Sequence, residues 1–77
     1  MVGVVDRDAA RRHLALANKH VSEGERRIDT QIALVARLER DGHDTFQAKS
    51  LLKQFENALC LQIETRNRFI EELAEGE

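Results

Sequence analysis

Leu14, Val21, Ile28 and Val35 recur every seven residues, and Ala10, Ala17, Gly24, Gln31 and Leu38 hold the second apolar position of the same repeat. A 3.5-residue average spacing sustained over about four heptads marks a helix that packs along one stripe against another helix. One column is branched and the other mostly small, and small side chains let a partner backbone come close. A second stripe runs through Ala48, Leu52, Phe55, Leu59, Gln62, Arg66, Phe69 and Leu73, alternating steps of four and three. The pattern predicts two long helices, over about residues 6–41 and 45–74.

Between the stripes, the run from Leu38 to Gln47 reads as one helix stopping and another starting. Gly42 supplies the positive φ that a helix needs just past its end. Asp44 or Thr45 offers an oxygen to the free N–H groups of a new first turn. Asp44 with Gln47 resembles a capping box, with Asp in place of Ser or Thr. A turn over residues 42–44 joins antiparallel neighbours. The expected fold is therefore all-α: a long, coiled-coil-like antiparallel two-helix hairpin forming one domain over residues 1–77. Residues 1–5 read as a frayed start, Asp6 as the first cap, and Glu71 to Glu77 as an acidic, frayed end.

Folding the stripes together suggests a register. Leu38 would meet Leu52, Val35 Phe55, Gln31 Leu59, Ile28 Gln62, Gly24 Arg66, Val21 Phe69 and Ala17 Leu73. Gln31 and Gln62 would then either hydrogen-bond in the seam or turn sideways into water. Ser22-Glu23-Gly24-Glu25 is itself a capping-box pattern that could break the first helix. The heptad phase passes through Val21, Ile28 and Val35 without a stutter, and this favours one continuous helix. Asp8–Arg12, Glu23–Arg27 and Glu64–Arg68 are acid-first pairs that add local support.

A hairpin buries one seam only, yet apolar residues continue beyond it. Leu16, Ile32 and Leu34 lie off the first stripe, and Leu51, Ala58, Leu61, Ile63 and Ile70 off the second. That widens each stripe towards a bundle face. The expectation is a homodimer of hairpins forming a four-helix bundle, or docking on another helical protein. The interaction residues would be Leu14, Val21, Ile28, Ile32, Val35, Leu38, Leu52, Phe55, Leu59, Ile63, Phe69, Ile70 and Leu73. The free surface would be the flank carrying Ile63, Ile70, Leu16 and Ile32.

Composition narrows the chemistry. Charged residues are 34% of the chain and hydrophobic ones 42%, and there is no Pro to interrupt a helix. No apolar run approaches the roughly 20 residues of a membrane span. The start has no basic segment of a secretory signal. Cys60 is alone, so a reducing, cytoplasmic setting is expected, with the thiol on a flank or exposed.

His13 and His20 are seven apart, not the four that a helical metal pair needs, and no Glu-x-x-His pair occurs. No metal, cofactor or catalytic set is expected, and carboxylates on two rods without a cleft lack a dry pocket for acid–base work. Arg7, Arg11, Arg12, Lys19, Arg26 and Arg27 make the first helix locally basic. Charge complementarity with the acidic end is one role for them, and contact with nucleic acid the alternative. A net charge of −2 with no aromatics among those basic residues argues against the latter.

Leu38-Glu39-Arg40-Asp41-Gly42-His43-Asp44-Thr45, followed by Ala48, Leu51, Leu52, Phe55 and Glu56, resembles a pattern in short uncharacterised proteins of alphaproteobacteria. The resemblance covers about residues 21–74. It implies a bacterial, cytoplasmic helical protein with no assigned activity. Those proteins continue with a His-rich helix ending in an Arg-Asp-Arg-like cluster. Here Gln62 and Thr65 replace the histidines and Arg66-Asn67-Arg68 the cluster, which counts against a metal or proton role.

Overall fold

The computed structural model describes residues 7–75. Two helices, α1 (Arg7–Arg40) and α2 (Phe46–Glu75), pack antiparallel along their length into a rod of 61 × 15 × 15 Å. The cap expected at Asp6, the frayed start and the last two residues lie outside the described region. The helix α1 is continuous through Ser22 and Gly24.

The reversal is built from both helix ends. His43 N–H donates to Leu38 C=O at 2.9 Å and Gly42 N–H to Glu39 C=O at 3.2 Å. This crossed pair closes α1 with Gly42 in the left-handed region, at φ 74°. The Thr45 carbonyl accepts the first α2 bond, from Lys49 N–H. Asp44 Oδ1 accepts from Phe46 N–H at 2.9 Å, so the acid caps two residues ahead in an Asx turn instead of through a box with Gln47.

The small column of α1 is the line of closest approach. Ala10, Ala17, Gly24 and Gln31 are all buried, joined by Val21 and Val35, while Leu14, Ile28 and Leu38 are half-buried. Every stripe residue of α2, from Ala48 to Leu73, is half-buried, and none is fully enclosed. Small residues on α1 thus receive large ones from α2.

The register differs from the expected one by about one helical turn. A Cβ placed on Gly24 would lie 2.8 Å from Gln62 Oε1 and 3.2 Å from Leu59 Cδ1, so Gly24 faces Gln62 and not Arg66. His13 packs on Phe69, with ring centroids 5.4 Å apart. The cause is the tight reversal. Gly24 and Gln62 are equidistant in sequence from His43, whereas the expected pairs centre two residues later. The two seam glutamines do not bond each other. Gln31 Nε2 donates to Ala48 C=O at 2.9 Å, and Gln62 Oε1 is buried without a partner.

At the open end, Arg7 Nη1 donates to Leu73 C=O at 3.1 Å, placing a cation on the carbonyl-rich last turn of α2. Asp8 pairs with Arg11 at 3.5 Å.

Candidate interaction surface

The seam divides the rod into two flanks. Glu39 and Lys49 bridge it at 3.3 Å on one side. Stepping by sevens from these residues gives facing rows of Asn18, Glu25, Ile32 and Glu39 on α1, and Lys49, Glu56, Ile63 and Ile70 on α2. We call this the isoleucine flank. Ile32 and Ile70 are about half exposed there and Ile63 is half-buried.

The opposite side carries His13, His20, Arg27 and Leu34 on α1, facing Leu51, Ala58, Thr65 and Glu72 on α2. His13, Leu16, Ala17, His20, Thr65 and Phe69 line one depression of about 280 Å³. A smaller one beside it, about 190 Å³, brings in Leu61 and Gln62. This is the histidine flank. Leu16 therefore does not share a face with Ile63 and Ile70, as the single-flank expectation had it. Helical spacing alone places Leu16 one row outside His13 and His20, which lie across the seam from the isoleucines. Leu61 is 65% exposed and Leu16 49%, so this side too presents apolar groups to a partner.

The middle of the histidine flank holds a shallow groove of about 530 Å³ between Glu23, Arg26, Arg27, Thr30, Gln31 and Phe55. The Arg27 guanidinium lies over the Phe55 ring, 5.6 Å from its centroid. The ring's negative face attracts the guanidinium at this distance. The arginine was read from the sequence as one of a basic set; its stacking depends on the seam register and was not legible there.

Of the residues expected to interact, Val21 and Val35 are spent inside the hairpin. Leu14, Ile28, Leu38, Leu52, Phe55, Leu59, Ile63, Phe69 and Leu73 are half-buried, and Ile32 and Ile70 remain exposed. Leu16, Leu51 and Leu61 join them as exposed apolar groups, and Phe46 stands 73% exposed beside the turn. Cys60 is exposed, on the row outside the isoleucine flank.

Among the described residues no three His, Cys, Asp or Glu side chains converge as a metal-binding group would require. Among the same residues no helix is long and apolar enough to cross a membrane. Compared with protein-family models, with curated proteins and with solved structures, the chain matches none.

Proposed function

We propose that this hairpin works by association: it is a non-enzymatic helical module that pairs with itself into a four-helix bundle or docks on another helical protein. The observation that supports this is the contrast between a thin core and rich flanks. Among the described residues no large side chain is fully buried, while Leu16, Ile32, Leu51, Leu61 and Ile70 stand between 39% and 65% exposed along the rod. Apolar side chains gain roughly 1.5–3 kcal/mol each on full burial, so these rows favour a covering partner. The depressions beside the seam are shallow and hold side chains of mixed character, which suits a knob from another helix better than a reacting small molecule. Sedimentation at graded concentration tests this. Growth to dimer is expected, and a stably folded monomer at micromolar concentration would overturn self-association.

A second reading rests on a different row. Arg12, Lys19, Arg26 and Arg40 point outward from α1, seven or fourteen residues apart, giving steps of about 10 Å or twice that along the helix. Such a row offers charges to a polyanion, and nucleic acid is the alternative partner. Binding to arbitrary duplex DNA that falls steeply with salt would favour this reading over the first. The single thiol of Cys60 and the bacterial resemblance support a cytoplasmic setting.

A further inference from the structure

Resting on the self-association reading, we propose that the partner is a second copy of this chain, seated on the histidine flank and related by a two-fold axis that crosses the rod near residue 25 of α1. In that arrangement α1 lies antiparallel on α1 of the other copy, and α2 on α2.

Two seven-residue rows of this flank pair about that one centre, and it is the identities of the residues so paired that favour a second copy. Leu16 and Leu34 stand nine residues either side of residue 25, so each leucine meets the other across the axis. Glu23 and Arg27 stand two residues either side, so each carboxylate meets a guanidinium of opposite sign, twice. His20 comes opposite Thr30 by the same count, and His13 opposite Arg37. On α2, the contacts of Gly24 with both Leu59 and Gln62 put the axis between Ala58 and Leu61, so the exposed Leu61 of each copy meets the small Ala58 of the other. Self-complementarity of this kind is what a two-fold interface demands.

The other flank offers no such exchange at the same level. Its centre holds Glu25, with Asp29 and Glu56 beside it. A two-fold there would set Glu25 against Glu25, a like-charge contact that opposes pairing. Area is sufficient on the favoured side. One side of a body 61 Å by 15 Å presents roughly 900 Å², and stable interfaces bury about 800 Å² per partner.

The test uses paired charge reversals in the full chain, read by sedimentation equilibrium. Glu23→Arg and Arg27→Glu should each raise the dimer dissociation constant at least tenfold. Mixing the two variants should restore dimer, now as heterodimer. An effect confined within one helix cannot produce that recovery, because each variant is altered in its own chain before and after mixing. Circular dichroism on each variant confirms that the hairpin is intact. The alkylation rate of Cys60, outside the proposed contact, should be equal in monomer and dimer. Failure of the mixture to recover overturns the proposal. So does a dimer that Ile63→Glu dissolves and Leu16→Glu leaves intact, or one that protects Cys60; in both of these cases self-association itself still stands. A wild-type chain that stays monomeric at every concentration removes both.

Discussion

Gln62 holds its side-chain oxygen against Gly24, in the space that a methyl group at position 24 would enter. The two residues define how close the helices come at mid-rod. Both atoms facing the glycine, Gln62 Oε1 and Leu59 Cδ1, are the free ends of flexible side chains. A small intrusion can therefore be accommodated and a large one cannot. Gly24→Ala should raise stability by up to about 1 kcal/mol, the helix-propensity difference, as Gln62 swings aside. Gly24→Leu should lose about 1–3 kcal/mol by forcing the helices apart. Urea unfolding of the two variants separates these outcomes, and a large loss for Gly24→Ala would show that the seam does not yield.

The same glutamine carries a buried oxygen with no donor. Such a group loses its water without replacement, at about 1–3 kcal/mol. Gln62→Met keeps the length and removes the oxygen. It should stabilise the hairpin by about 1 kcal/mol. A lower unfolding midpoint would mean that the amide has a partner in solution.

Gln31 behaves in the opposite way, because its amide nitrogen reaches the Ala48 carbonyl. Gln31→Glu at neutral pH puts a buried carboxylate against a carbonyl oxygen. Burial raises the carboxyl's folded-state pKa above its unfolded value of about 4.3. The protonated acid can donate to the carbonyl, so the variant should approach wild-type stability below about pH 4 and lose it as pH rises through the folded pKa. Thermal melts from acid to neutral pH check the sign; a variant most stable at neutral pH would contradict the buried geometry.

At the reversal, a Cβ on Gly42 would touch nothing within 4 Å, so only the backbone resists substitution. Gly42→Ala should cost about 1–2 kcal/mol, the left-handed penalty, and Gly42→Asn less. Asp44→Ala, which removes the acceptor for Phe46 N–H, should cost about 1 kcal/mol. Equal stability of Gly42→Ala and wild type would show that φ at this position is not held positive.

What the sequence disclosed follows from the physics of each feature. The heptad columns predicted which α2 residues line the seam, from Ala48 to Leu73, because side-chain direction on a helix depends on spacing alone. Gly42 marked the reversal because few other residues adopt its φ. The register was offset because it depends on how tightly two caps fit into five residues, and apolar spacing repeats at every turn without choosing among shifts. The flank containing Leu16 was misplaced for a different reason. Apolar character says only that a residue lies off the stripe; the helical spacing of Leu16 from His13 and His20 gives its side, and that signal was in the sequence. The bond from Arg7 to Leu73 C=O and the stacking of Arg27 on Phe55 needed the register first.

A heptad stripe is indifferent to whether its complement belongs to the same polypeptide. The left-handed residue at position 42 settles that ownership by returning the chain before another molecule can supply the second half. Bring the five residues from Asp41 to Thr45 into helical geometry and α1 would run on towards α2 as a single spine. Two such spines could exchange halves reciprocally, reproducing the identical contacts with a different stoichiometry.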